Sequence, residues 1–406
     1  MLGGAHWNCQ IPRSSQRSDP CPTHRKAPSA MDEENAELDA AVPSRLFLVS
    51  EAVPSRLFFV SAFLAMEPSD SLIRFARECG GGSITKRVQC FILDRCISKY
   101  DVRHCVSFVK NFLKKLVNEI EVSHGDVLDE LYEQCAHYMI LDCSKENTRV
   151  IKYISFLFPD DCLQLSSCSI SAKMMIPLQC SLNMLEGDTG CSIWPSSLFL
   201  SEFILSNPEI FSSKSCFEVG SGVGLVGICL AHVKSSKVIL SDGNMSTLAN
   251  MKFNLELNQL TENCLLEVNG HDSSVYQVNC IFLPWESVKE SQLHEYMPDI
   301  ILGGDVIYDP RCLPHLVRVL RILLIRTGPH PHRSTNSCPA VFSEPVAYIA
   351  TVIRNVVTLD RFLALADEAG LSVVDITGKM RVLHLLPYMF SYDRSSIRLF
   401  RLCLDN

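Results

Sequence analysis

One short stretch limits what this chain can fold into: Ser215-Cys-Phe-Glu-Val-Gly-Ser-Gly-Val-Gly-Leu-Val-Gly-Ile-Cys-Leu-Ala231, an apolar run that meets four glycines and passes into an apolar helical pattern. It predicts strand, tight turn and helix. Glu218 stands just before the first glycine, and Gly220, Gly222 and Gly224 let the backbone turn sharply and approach a ligand with no side chain in the way. Such a loop suits a nucleotide-type cofactor, and the rest of the chain has to say which.

With 406 residues, 47% of them hydrophobic, the chain can bury one large core or two smaller ones. A net charge of -8 argues against general nucleic-acid binding, which needs a basic face to release counterions. The 19 cysteines are odd in number and scattered from Cys9 to Cys403. None forms a C-x-x-C pair, so they read as free thiols in a reducing compartment rather than as a disulfide or zinc framework. No uncharged apolar run reaches the roughly 18 residues of a membrane span. The expected setting is cytoplasmic, with the nucleus as the alternative.

Residues 1–65 are rich in Pro, Ser, Arg and His, carry an acidic cluster at 32–39 and show no lasting period, which predicts an unstructured extension. Within it, Ala41-Val-Pro-Ser-Arg-Leu-Phe47 recurs at 52–58, an offset of 11 residues. This reads as a local duplication upstream of a second start at Met66; the acidic cluster speaks against a targeting peptide. Residues 66–148 form a helical module, with amphipathic helices over 102–117 and 127–139. His104, His124 and His137 lie there without metal-ligand spacing, and no metal site is expected. Residues 149–189 contain short strand-like runs at 162–166 and 174–178, suited to a hairpin.

From 190 to 406 strand and helix alternate. Pro195 suits the first turn of a helix, which places Trp194 at its entry. Strands are expected at 215–219, 237–242, 278–283, 298–305 and 347–352, with helices at 245–257, 313–324 and 358–369. The runs 371–376 and 397–402 supply a terminal antiparallel pair, and 327–339 is a surface loop. This is a doubly wound α/β sheet whose ligands bind at the carboxyl ends of its strands.

Gly222-x-Gly224-x-x-Gly227 matches the dinucleotide fingerprint, with Asp242 as the ribose acid. In that frame, however, the first glycine falls three residues past the strand end at Val219. The frame that fits the strand is Glu-x-Gly-x-Gly-x-Gly, which is similar to the loop of seven-strand S-adenosylmethionine-dependent methyltransferases. Glu218 and Gly220–Gly224 then suit the amino-acid end of that cofactor, Asp242 its ribose and Trp285 its adenine. A core aromatic at Trp285, and turn or capping acids at Glu218 and Asp242, are the structural alternatives.

Trp194, Phe217-Glu-Val-Gly-Ser-Gly-Val-Gly-Leu-Val-Gly227, Ser241-Asp242, Pro284-Trp285 and Gly304-Asp-Val-Ile-Tyr308 follow the order of the seven-strand protein-lysine methyltransferases. The helical module and Ile353-Arg-Asn355 resemble one branch, the elongation factor 2 lysine methyltransferase family. The resemblance runs from about residue 67 to the end and leaves residues 1–65 uncovered. It implies a seven-stranded Rossmann-like domain that binds S-adenosylmethionine through Trp194, Gly220, Ser221, Gly222, Asp242, Trp285 and Gly304. Asp305 and Tyr308 would then face the incoming lysine of a protein substrate, elongation factor 2, with the enzyme acting as a monomer. Two positions depart from the family: Gly304 stands where relatives have alanine, and Pro284 where they have aspartate.

A helix N-cap is the alternative for Asp305. Two other functions stay open at this point. One is an NAD-dependent oxidoreductase. The other is a catalytically silent scaffold that binds partners through the helical module.

Overall fold

The computed structural model describes residues 54–99, 105–141, 149–159, 173–182, 189–260, 277–326 and 344–405, all within the unit Ser44–Asn406. The first copy of the repeat at 41–47, the run at 162–166 and the loop expected at 327–339 lie outside these residues. Helices come first: α1 (Pro54–Leu64), α2 (Ser69–Cys79), α3 (Lys86–Ile92), α4 (Val106–Val122) and α5 (Asp129–Ile140). In α4 the buried residues Val109, Phe112, Leu113, Leu116, Val117 and Ile120 recur at three and four, so one face enters the core while the lysines stay wet.

Helix α1 lies inside the stretch 1–65 expected to be unstructured, so the ordered helices begin before residue 66. Its sequence PSRLFFVSAFL has no polar stripe, and a helix covered on most sides shows no amphipathic period to read. Phe59, Ala62, Phe63 and Leu64 are all buried. Phe59 meets Phe91 and Phe112 at ring distances of 6.0 and 6.1 Å, and Phe63 meets Phe108 at 5.5 Å.

A two-stranded antiparallel ribbon follows, β1 (Arg149–Leu157) and β2 (Lys173–Ser181), paired through Ile154 opposite Ile176. The methionine-rich run expected as a strand is part of β2. The second layer system contains α6 (Pro195–Ser206), α7 (Pro208–Phe211), β3 (Ser215–Val219), α8 (Leu225–His232), β4 (Lys237–Asp242), α9 (Met245–Leu257) and β5 (Gln277–Phe282). It continues with α10 (Glu290–His294), β6 (Ile300–Gly304), α11 (Leu313–Leu324), β7 (Val346–Val352), α12 (Val356–Glu368), β8 (Leu371–Asp375) and β9 (Ile397–Leu404).

These strands form one seven-stranded sheet in the order β5-β4-β3-β6-β7-β9-β8. Strands β3 to β7 pair in parallel, and β9 runs antiparallel to both β7 and β8. The expected terminal antiparallel pair is therefore present, inserted at one edge. Alternation along β3 splits the core. Cys216 points into the layer shared with the N-terminal helices, α6, α8 and α9, and Phe217 and Val219 point into the layer with α10, α11 and α12.

Strand order reverses between β3 and β6, the point at whose carboxyl edge sheets of this kind bind their ligands. Polar ties hold the pieces around it. Asn250 and Asn254 on α9 and Asn258 at its C-terminal cap, one turn apart, bond the β2 backbone at Gln179 and Pro177 over 2.6–3.1 Å. Asn254 also donates to Val223 O in the glycine stretch at 3.0 Å.

The segment 376–396 between β8 and β9 forms a second tie. Glu202 of α6, fully buried, accepts from Leu385 N at 2.7 Å, Leu386 N at 3.2 Å and the Tyr392 hydroxyl at 2.8 Å, and pairs with Arg394 Nε at 3.2 Å. Burial pushes the Glu202 carboxyl above its usual range, and Arg394 pulls against it. The Tyr388 hydroxyl accepts from Ser155 N of β1 at 2.7 Å, and Glu67, just past α1, accepts from Ser391 N at 3.0 Å. One segment thus fastens the helical module, the ribbon and α6 together. Glu202→Ala, which strands Arg394, Tyr392 and two backbone N–H groups, is expected to cost about 3 kcal/mol or more. Thermal and urea melts check this, and a wild-type midpoint would refute it.

Candidate active site

The glycine loop leaves β3, an inner strand between β4 and β6. Gly220 has φ 65° and Gly222 φ 53°, left-handed conformations that side-chain-bearing residues avoid. A Cβ on Gly220 would sit 3.0 Å from Val306 Cγ1 and 3.5 Å from the Trp285 ring, and one on Gly222 would sit 3.1 Å from Gly190 O. Gly224, with φ 83°, caps α8. Gly227 is needed for a different reason: a Cβ there would lie 2.5 Å from both methyl carbons of Leu240, so helix and strand pack in direct contact. That contact is the third-glycine role of the dinucleotide pattern, here met one helical turn past the loop.

Ser221 ties the loop to the neighbouring strand. Its N donates to Ser241 O at 2.9 Å, its hydroxyl accepts from Ser241 N at 3.0 Å, and the same hydroxyl donates to Glu218 O at 3.3 Å. Its side chain is therefore spent between β3 and β4. At the end of β4, Asp242 accepts from Gly222 N at 3.2 Å and from Asn244 N at 3.0 Å. Burial raises its carboxyl above the usual range, and the Asn244, Gly222 and Gly243 backbone bonds pull it back.

Glu218 is buried, and its Oε2 has no hydrogen-bond partner. Burial pushes its carboxyl up to about 8, with the Ser221 bond opposing and the Asp242 charge adding to the rise. A buried carboxylate with an open oxygen beside a bare backbone loop is suited to a ligand ammonium group. On this test the residues fit the amino-acid end of a cofactor such as S-adenosylmethionine. Asp242 and Trp285, on either side of Gly220 and Gly222, would take its ribose and adenine.

The other half of the site is built at the ends of β6 and β7. Gly304 closes β6 against α6: a Cβ there would lie 3.4 Å from Ser197 Cα and N. The next residue, Asp305, is 8% exposed, holds φ 61° and donates its N–H to Ala350 O at 2.8 Å. Its carboxylate does not stand open. Arg354 grips it with both guanidinium nitrogens, at 2.7 Å to Oδ1 and 2.6 Å to Oδ2.

The guanidinium carbon of Arg354 also lies 5.3 Å from the Trp194 ring centre. Trp194 precedes α6 in extended conformation, with Pro195 starting the helix as expected, and its Nε1 donates to Thr189 O at 3.0 Å. Tyr308 is 62% exposed and lines a small cavity of about 50 Å³ with Thr351, Arg354, Asn355 and Leu359.

The residues singled out from the sequence thus fall into two groups. Glu218, Gly220, Ser221, Gly222, Gly224, Asp242 and Trp285 surround the loop, while Trp194, Gly304, Asp305 and Tyr308 surround the end of β6. Beyond the resemblance at Ile353-Arg-Asn355, the sequence marks no role for Arg354. A lone arginine after a strand carries no signal, because its partner Asp305 is 49 residues away. Gly190, whose carbonyl approaches Gly222, was likewise invisible. Among the described residues no group of three or more His, Cys, Asp or Glu converges as metal ligands, and no helix is long and apolar enough to cross a membrane.

Comparison with known proteins gives this arrangement a context. Residues 175–328 match the family described as lysine methyltransferase. The chain is 36% identical over 232 residues to an uncharacterised protein of Dictyostelium discoideum, covering 53% of this chain and 59% of that relative. It is 28% identical over 267 residues to the human protein-lysine N-methyltransferase EEF2KMT, covering 66% of this chain and 72% of the human protein. The mouse protein of the same name is 28% identical over 305 residues, covering 74% of this chain and 79% of that protein. With the seven-stranded sheet and the glycine loop that follows β3, the match over residues 175–328 marks a lysine methyltransferase domain of the S-adenosylmethionine-dependent type.

Proposed function

We propose that this protein methylates a lysine side chain of a partner protein, elongation factor 2, in the cytoplasm and as a monomer, with S-adenosylmethionine as donor. The observation that carries the reading is the open, buried carboxylate of Glu218 beside Gly220 and Gly222, which calls for a ligand with a cationic amino-acid end. The human and mouse relatives named as protein-lysine N-methyltransferases support the reaction class.

When bound, the cofactor supplies an electrophilic methyl group on a sulfonium. The chain's own residues do the rest by placement. Glu218 and the loop would hold one end, Asp242 and Trp285 the other, and Asp305 with Tyr308 would face the lysine. In-line displacement needs donor and acceptor held in register more than it needs covalent machinery. The lysine must also be neutral to attack, so the site has to desolvate it or accept its proton, its ordinary pKa being about 10.4. Incubating the protein with labelled cofactor and a cytosolic extract should label a band that purified elongation factor 2 reproduces. Labelling of other proteins alone would reject that substrate.

Glu218 offers an independent measurement. Its folded-state pKa is raised, to about 8, so its contribution to the stability of the ligand-free protein is full at acid pH and is lost as pH rises towards 8. A ligand ammonium favours the carboxylate and lowers that pKa, so binding at pH 7 should release about one proton. Calorimetry with S-adenosylhomocysteine in buffers of different ionisation enthalpy reads the release. It should vanish in Glu218→Gln and above pH 8; a buffer-independent enthalpy in the wild type would exclude this role.

A further inference from the structure

Asp305 sits at the end of β6 in a left-handed conformation, at φ 61°, and its carboxyl is almost wholly shielded from water. Both features are unfavourable in isolation: a non-glycine residue avoids this backbone region, and a buried carboxylate without a partner neutralises itself. Arg354 answers the second. Its planar fork meets the two oxygens in parallel at 2.7 and 2.6 Å, which fixes the plane of the carboxylate as well as its charge. The same guanidinium lies 5.3 Å from the centre of the Trp194 ring, and Trp194 is itself pinned by Nε1 to Thr189 O and starts α6. Arg354 stands just before Asn355, which caps α12 by accepting from Val357 N at 2.9 Å, so its own backbone is held.

We infer that Arg354 is a positioning residue for methyl transfer: it orients the Asp305 carboxylate towards the acceptor side and couples it to Trp194 at the entry of α6. Arg354 is not placed on the reacting atoms. It acts through Asp305, and the inference rests on the assignment of Asp305 to the lysine side of the methyltransferase site. Lysine cannot replace it, because an ammonium group lacks the fork that sets the carboxylate plane and stacks less well on an indole.

The test uses the full chain with Arg354→Met, Arg354→Ala, Arg354→Lys, Asp305→Asn and the Arg354→Met/Asp305→Asn double variant. Arg354→Met is expected to lower kcat about tenfold or more while leaving the calorimetric affinity for S-adenosylhomocysteine within about threefold, with Arg354→Lys recovering only part of the loss. The double variant should lose no more than Asp305→Asn alone, because both changes break one unit. Ethylguanidine at millimolar concentration should restore turnover to Arg354→Ala and not to Asp305→Asn. Additive losses, an unchanged kcat, or a loss confined to cofactor affinity would overturn the inference.

If the wild type transfers no methyl group to any protein in the extract, the methyltransferase reading fails instead. The coupling is then read from Trp194 emission, corrected with Trp194→Phe. Arg354→Met and Asp305→Asn should shift it in the same sense, and a shift from Arg354→Met alone would count against the coupling.

Discussion

A chain that starts at Met66 is expected to fail to fold. It lacks α1, and with it the buried side chains of Phe59, Ala62, Phe63 and Leu64. Each large apolar side chain is worth about 1.5–3 kcal/mol when buried, so the loss approaches the roughly 5–15 kcal/mol that hold a whole domain together. The exposed partners are aromatic: Phe91, Phe108 and Phe112 would face water where the Phe59 and Phe63 rings now sit. Glu67, which holds Ser391 in the segment that also carries Tyr388 and Tyr392, would lose the helix that positions it. Expression of residues 66–406 should give aggregated protein, or a soluble form that binds a hydrophobic dye and melts well below the full chain. A soluble protein with the full-length melting point would show that α1 is dispensable.

Asp305→Ala is expected to lower methyl transfer by about 100-fold or more while the affinity for S-adenosylhomocysteine stays within a few fold. Two effects add. The carboxylate proposed to orient the incoming ammonium is lost, and Arg354, whose guanidinium it neutralises, becomes an unpaired cation beside the lysine's path. Repulsion between like charges then opposes substrate entry, so KM for the protein substrate should rise together with the fall in kcat. The glycine loop, Glu218 and Asp242 are untouched, which is why cofactor affinity should persist. Turnover within about twofold of wild type would remove Asp305 from the reaction.

Much of this protein could be read along the chain. Strand, turn and helix at 215–231, Pro195 opening α6 behind Trp194, and the antiparallel pair closing the sheet all rest on local rules of backbone freedom and side-chain period. The same rules failed at α1, because a helix buried on most sides carries no polar stripe, and its Pro-Ser-Arg start looked like the neighbouring extension. The right register of the glycine stretch also came from a local fact, the strand end at Val219. It moved the important glycines to Gly220, Gly222 and Gly224, whose left-handed φ angles confirm the turn.

Other features exist only because distant residues meet. The unpaired oxygen of Glu218 depends on how completely the sheet and its covering helices shield it, and the grip of Arg354 on Asp305 depends on β6 and β7 lying side by side. Glu202, in the middle of an apolar helix, is paired only because segment 376–396 brings it Tyr392 and Arg394. The sequence by itself determined the elements of the seven-stranded sheet, their order and the kind of cofactor loop, since those follow from interactions within a few residues. Only the tertiary structure decided which charges are buried, which are paired and which remain open to a ligand, because desolvation and hydrogen bonding are set by neighbours that the chain brings together from far apart.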